Sequence, residues 1–214
     1  MPVSCILLAA GASRRLGHPK QLVQLGGETL LERSLRLALE AGCERVFVVL
    51  GAHAGQVQSA LAAGIASPDA VTLLVNAQWE QGIATSIRAG VEHLAQSSSS
   101  TGALLMACDQ PFITDEHLRR LLNAFAARAE QVIAASRYGD TLGIPAVFPR
   151  TRFSDLLALH GDQGARHLLR GEPQLAAVAC DDAAFDLDTP EDMARLMQRD
   201  VLTQRDGLTQ QPKP

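Results

Sequence analysis

The residues able to do chemistry in this 214-residue chain fall into one stretch suited to an anion and several that present carboxylates. Residues 5 to 20 read Cys-Ile-Leu-Leu-Ala-Ala-Gly-Ala-Ser-Arg-Arg-Leu-Gly-His-Pro-Lys. The apolar run from Val3 to Ala10 has the length of a buried parallel strand. Small residues follow at Ala9, Ala10, Gly11, Ala12 and Ser13, where backbone N–H groups can approach an anion closely. Arg14, Arg15 and Lys20 then supply the positive charge that a polyphosphate requires. The stretch reads as a nucleoside triphosphate loop at the carboxyl end of a first strand, where open α/β sheets take their ligands. It is neither common phosphate loop: Gly17 precedes His18-Pro19-Lys20 instead of Lys-Ser/Thr, and only Gly11 and Gly17 are available for a Gly-x-Gly-x-x-Gly fingerprint.

Carboxylates supply the complementary chemistry. Asp109 lies just past the apolar run Gly102–Ala107, which reads as a fourth buried strand, in Cys108-Asp109-Gln110-Pro111. The helix predicted over 116–127 already has Thr114 as its cap, with Asp115 and Glu116 in its first turn, so Asp109 is left for other work. Hard cations such as Mg²⁺ favour one or two carboxylates plus phosphate oxygens, which suits this position. Asp186 and Asp188 alternate along an extended segment and share a face, so either can approach as a second metal contact. Thr189-Pro190-Glu191-Asp192 has the form of a helix start with a capping box, which makes Asp192 structural. Thr85 and Ser86, near the start of a helix through Ala95, are placed to cap it or to cradle a ligand. Asp162 reads as the N-cap of a short helix through Leu169, and His53 as a solvated loop histidine.

The loop Leu8-Ala-Ala-Gly-x-Ser-Arg-Arg-Leu-Gly-x-Pro-Lys20 closely resembles the signature of nucleotidyltransferases of the molybdenum cofactor type. The resemblance implies an α/β chain with a Rossmann-like, three-layer α/β/α nucleotidyltransferase fold around a mostly parallel sheet. It implies an enzyme that joins a nucleoside monophosphate to a phosphorylated acceptor with Mg²⁺ and releases pyrophosphate. By the same likeness, Leu8, Ala9, Ala10, Gly11, Ala12, Ser13, Arg15 and Lys20 would hold the nucleotide. Asn76, Gly82 and Ser86, in Asn-x-x-Trp-x-x-Gly-x-x-x-Ser, would lie beside its base and ribose. Arg15, Lys20 and Asp109 would be the catalytic set. Asp109 would bind the metal, and Asp-x-Asp-Thr-Pro-Glu-Asp puts Asp188 nearest to it. Gly143 and Pro145, in Gly-x-Pro-x-x-Phe, would line the acceptor side. Gly-Asp-x-Gly-Ala-Arg, typical of the cytidylyl branch, would bring Arg166 to the acceptor's phosphate.

Ala10 stands where guanylyl-transferring relatives more often carry glycine, so the resemblance favours CTP as donor. Molybdopterin is then the acceptor, molybdopterin cytosine dinucleotide the product, and an apoenzyme of the xanthine dehydrogenase type a transient partner. Two alternatives are a cytidylyltransferase acting on a sugar or polyol phosphate, and a non-catalytic accessory protein that carries the cofactor.

The elements that must position these residues are also visible. Helix-spaced apolar residues run from Glu28 to Ala41 and again over Val57–Ala63, with strands at Arg45–Leu50, Val71–Val75, Gln131–Ser136 and Leu175–Ala179. Short β-α-β-α-β connections predict a parallel sheet. Helix is expected at Arg152–Leu159 and from Pro190 through Val201. The serine-rich stretch Gln96–Thr101 reads as a flexible surface connection, and 203–214 as a disordered tail to a single domain over 1–202. Hydrophobic residues make up 47% of the chain and aromatic ones 4%, which predicts an aliphatic core. A net charge of −4 argues against a nucleic-acid binder, and no apolar run approaches the ~20 residues of a membrane span. Four widely spaced cysteines and the absence of a basic leader predict a reduced, cytoplasmic protein.

Overall fold

The computed structural model describes residues 2–62, 67–97 and 99–209. The chain runs β1 (Val3–Ala9), a small hairpin of β2 (Gln24–Leu25) and β3 (Glu28–Thr29), α1 (Leu30–Glu40), β4 (Val46–Leu50), α2 (Ala54–Leu61), β5 (Val71–Val75) and α3 (Ile83–Ser97). It continues through β6 (Gly102–Ala107), α4 (Asp115–Ala127), β7 (Ile133–Tyr138), β8 (Thr141–Pro149), α5 (Phe153–Leu157), α6 (Arg166–Leu169), β9 (Leu175–Ala179) and α7 (Pro190–Thr209). Seven strands form one sheet in the order β5-β4-β1-β6-β8-β7-β9. Only β8 runs antiparallel to its neighbours, so the sheet is mostly parallel.

Period-two alternation distributes each central strand between two cores. Cys5, Leu7, Val46, Val48, Leu104 and Met106 pack on the face covered by α1, α2 and α4. Ile6, Leu8, Phe47, Val49, Ala103 and Leu105 pack on the face covered by α3, α5 and α6. This gives the three-layer α/β/α arrangement, and both strand faces must therefore be apolar. Each fully buried Leu, Ile or Val contributes roughly 1.5–3 kcal/mol relative to exposure. A third, smaller core of Leu16, Val23, Leu30, Leu187 and Leu196 ties the loop after β1 to the segment leading into α7.

Caps set the helix starts. Thr29 and Glu32 form a capping box on α1, Thr114 accepts from the N–H of His117 on α4, and Thr189 and Asp192 form a second box on α7. Two sequence expectations require correction. Ser100, within the stretch read as a flexible surface connection, is fully buried and its hydroxyl lies 2.6 Å from that of Ser4. Asp162 is not a helix cap: α6 starts later, with Ala165 as its N-cap residue. α7 continues to Thr209, past the boundary drawn at Thr203, while Ala63 and residues 210–214 lie outside the described residues. The four cysteines are free thiols, three of them buried.

Candidate active site

Strand register brings the chemistry-bearing segments to one edge of the sheet. Leu8 lies level with Ala107, Ala9 with Leu50, and Leu50 with Val75. The segments that leave these four strands therefore emerge together: Ala10-Gly11, Gly51, Asn76 and Cys108-Asp109. β4 and β6 flank β1 on opposite sides, so the loop after β1 sits where the chain order reverses, the usual ligand position of such sheets.

That loop is built by its own polar groups. Ser13 adopts φ 51°, and its carbonyl accepts from the N–H groups of Leu16 and Gly17 at 3.1 and 3.0 Å. Its hydroxyl accepts from the N–H of Lys20 at 3.0 Å, so Ser13 shapes the loop and returns Lys20 toward β1. Gln21, fully buried, donates from Nε2 to the carbonyls of Ala9 and Gly11 at 2.7 and 3.0 Å. Sequence reasoning missed Gln21, since nothing local marks a glutamine as a loop clamp.

A charge cluster closes one side of the site. Lys20 Nζ donates to Asp109 Oδ2 and, at 3.0 Å, to Asp188 Oδ1. Arg15 donates to the other oxygen of Asp188 at 2.8 Å. Burial disfavours the Lys20 charge, but Asp109 and Asp188 outweigh it and hold the ammonium well above the usual lysine range. The carboxyl of Asp186 is pushed up to about 6 by desolvation in the cleft, then by the nearby charges of Asp109 and Asp188.

Two clefts meet at this cluster. The first, about 360 Å³, is lined by Leu8 through Ala12, Arg14, Lys20, Gln21, Trp79, Glu80, Gly82, Ile83, Ser86, Ala107, Cys108, Asp109 and Asp162. The second, about 260 Å³, includes Gln110, Tyr138, Gly143, Ile144, Gly164, Ala165, Arg166 and Asp186. Both are bordered by Leu8, Ile83, Ala107 and Asp109.

Most of the predicted residues thus come together, with informative exceptions. Of the adjacent arginines it is Arg14 that lines the first cleft, while Arg15 turns to Asp188. Asn76 is buried and does not line it: its amide donates to Thr85 and Ser86 at 2.8 and 3.0 Å and so orients Ser86, which does. Gly143 and Arg166 line the second cleft, but Pro145 is buried behind it, its carbonyl accepting from Ser136 at 2.7 Å. Asp186 faces this second cleft, whereas Asp188 faces Lys20.

The donor set suits a hard divalent cation. Oxygens of Asp109 and Asp188 already converge on one cationic point, Lys20 Nζ. No group of three or more His, Cys, Asp or Glu among the described residues is arranged to hold a metal alone. Two carboxylates with the remaining positions filled by phosphate and water is the usual arrangement for Mg²⁺.

A family model described as MobA-like NTP transferase domain matches residues 5–199. The chain belongs to this family. "Purine catabolism protein PucB" of Bacillus subtilis is 34% identical to it, over 89% of this chain and 94% of that protein. "Nicotine blue oxidoreductase" of Paenarthrobacter nicotinovorans is 33% identical, over 91% and 96%. Relatives named molybdenum cofactor guanylyltransferase, from Rhodobacter capsulatus, and cytidylyltransferase, from Escherichia coli, are 29% and 24% identical along nearly their whole lengths. The solved structure of Rv0371c from Mycobacterium tuberculosis shares 33% identity, covers 92% of this chain and 99% of that one, and has a TM-score of 0.76. A manganese complex of the same protein matches at 0.72. The MobA-like chain is accordingly a nucleotidyltransferase with the expected α/β fold.

Proposed function

We propose that this MobA-like enzyme transfers CMP from CTP to molybdopterin, giving molybdopterin cytosine dinucleotide and pyrophosphate. The observation that carries this reading is the position of Asp109, on the border of both clefts. A triphosphate in the first cleft and an acceptor phosphate in the second would meet there, and a mere carrier has no need of such a junction.

In this reading the backbone N–H groups of Gly11 to Ser13, with Arg14, Arg15 and Lys20, neutralise the triphosphate and then the departing pyrophosphate. Leu8 and the alanines form the wall beneath it, and Ser86 and Gly82 border the nucleoside. Arg166 fits the acceptor phosphate through its planar fork, and that phosphate attacks the α-phosphorus in line. No general base is needed, since a phosphate monoester is largely ionised near pH 7. Mg²⁺ held by Asp109 and Asp188 would supply Lewis-acid neutralisation of the phosphoryl charge.

Ala10 lines the first cleft, and its methyl group occupies space that a glycine would leave for a larger base, which supports CTP. A relative named for purine catabolism supports a cofactor destined for a xanthine dehydrogenase-type apoenzyme. The manganese complex of Rv0371c supports a divalent metal. Four free thiols agree with a cytoplasmic setting.

The test is pyrophosphate release with Mg²⁺, molybdopterin and each of CTP, GTP, ATP and UTP. Release with CTP alone, abolished in Asp109→Ala, is expected. Release with GTP instead would replace the donor, and release only with a polyol phosphate would replace the acceptor.

A further inference from the structure

The two walls of the first cleft differ in charge. One carries Arg14 and Lys20 beside Gly11. The other is lined by Trp79, Glu80, Gly82, Ile83, Ser86 and Asp162, and the ionisable side chains among these are the two acids, Glu80 and Asp162. Polyphosphate belongs on the first wall. A carboxylate on the second repels phosphate and can only accept hydrogen bonds from donor groups.

Asp162 is the better placed of the two acids because its backbone is anchored. The carbonyl of Gly161 accepts from the N–H of Ala84 at 3.1 Å, in the first turn of α3. Gly82, at φ +105°, packs so tightly on this turn that an added Cβ would lie 2.2 Å from the Gly161 oxygen and 2.8 Å from the Asp162 nitrogen. The turn is closed by Gln163, whose N–H donates to the carbonyl of His160 at 3.0 Å while its Oε1 accepts from His160 N–H at 3.1 Å. Both acids are exposed, but the short side chain of Asp162 on this anchored turn has fewer rotamers to lose than the longer Glu80.

We infer that Asp162 reads the nucleoside of the donor nucleotide, its carboxylate accepting a hydrogen bond from a neutral donor, either a ribose hydroxyl or the exocyclic amine of the base. The inference rests on the proposal that the first cleft takes a nucleoside triphosphate. It gives the Gly-Asp-x-Gly-Ala-Arg segment two roles, since Gly164, Ala165 and Arg166 of the same loop face the second cleft.

The experiment is calorimetric binding, without acceptor and with Mg²⁺, of CTP, 2′-deoxy-CTP, 3′-deoxy-CTP, UTP and inorganic pyrophosphate to wild type, Asp162→Asn and Asp162→Ala. Both variants are expected to bind CTP about tenfold or more weakly, the scale of one charge-assisted hydrogen bond, and to bind pyrophosphate as wild type does. The wild-type preference for CTP over one analogue should collapse in Asp162→Ala. Collapse for a deoxy analogue assigns a ribose hydroxyl, and collapse for UTP assigns the amine. Unchanged CTP binding, an equal loss for pyrophosphate, or intact discrimination against all three analogues would overturn the inference. Failure of wild type to bind any nucleoside triphosphate would instead overturn the underlying function.

Discussion

The backbone N–H of Leu187 donates to the carbonyl of Asp109 at 2.8 Å, which fixes the segment carrying Asp186 and Asp188 against the end of β6. Leu187 itself is fully buried with Leu16, Val23, Leu30 and Leu196. One residue therefore holds three parts of the site in register: its side chain joins the loop with Arg15 to the start of α7, and its backbone N–H ties both to the aspartate at the cleft border. Leu187→Ala should lower unfolding free energy by about 2–4 kcal/mol in urea titrations, as buried leucine truncations do. It should also slow pyrophosphate release more than tenfold at temperatures where the variant is folded. Leu121→Ala, equally buried in α4 but remote from the site, should lose similar stability and keep its turnover. Equal turnover in the two variants would refute the positioning role.

Lys20 stands between two oxygens that a metal would otherwise reach, so its removal should act with opposite signs on two ligands. Lys20→Met should weaken CTP binding by about tenfold or more, the loss of a charge-assisted contact. In the absence of nucleotide it should bind Mn²⁺ more tightly than wild type, because Asp109 and Asp188 lose their competing cation. Titration of the free Mn²⁺ electron paramagnetic resonance signal reads this directly. Unchanged or weaker Mn²⁺ binding would show that the lysine does not compete for the metal position.

How much of the fold was legible in the sequence depends on how local each signal is. Val71–Val75 and Gly102–Ala107 match the structure to the residue because continuous apolar runs between breakers leave few alternatives. Thr114 and Thr189 were equally readable, since a cap is defined within four residues. Ser100 was not: four serines in a row look like a linker, and nothing nearby announces a buried hydroxyl partner 96 residues away. The choice between Arg14 and Arg15 was closed to sequence for a similar reason. It depends on the turn at Ser13 and on where Asp188 arrives from the far end of the chain. Asp162 was misassigned because a glycine-flanked aspartate before a helix has the form of a cap; only the docking of its turn on α3 brings it to the cleft.

The contact between Gly82 and Gly161 gives a prediction that separates backbone conformation from packing. Gly17 and Gly82 both have φ in the left-handed region, +82° and +105°, but an added Cβ at Gly17 meets nothing within 4 Å. Gly17→Ala should therefore cost only the conformational penalty, about 1–2 kcal/mol. Gly82→Ala adds a collision with the Gly161 carbonyl and should displace the 160–166 turn from α3. Raised KM for both substrates is expected, since that turn borders both clefts, with Gly17→Ala showing no comparable rise for the acceptor. A matching kinetic profile for the two variants would refute this.

His117 supplies a stability switch in acid that is independent of the catalytic cluster. Its Nε2 lies 2.8 Å from Ser136 Oγ, and that hydroxyl donates its own proton to the Pro145 carbonyl, so the imidazole is the Nε2–H donor. Nδ1 is buried with no hydrogen-bond partner among the described residues. Protonation there would strand a charge, and burial, with the nearby Arg120 charge adding, lowers the pKa from 6.5 to about 4. Between these values the unfolded chain binds a proton that the folded chain refuses, so stability is present above pH 6.5 and falls as pH drops toward 4. Wild type should lose on the order of 2–3 kcal/mol more than His117→Gln between pH 7 and pH 4, read from urea midpoints at constant ionic strength. The variant has no titrating group at this position, and its slope should be correspondingly flatter. Parallel slopes would mean that the folded chain accepts the proton at Nδ1, and would refute the switch.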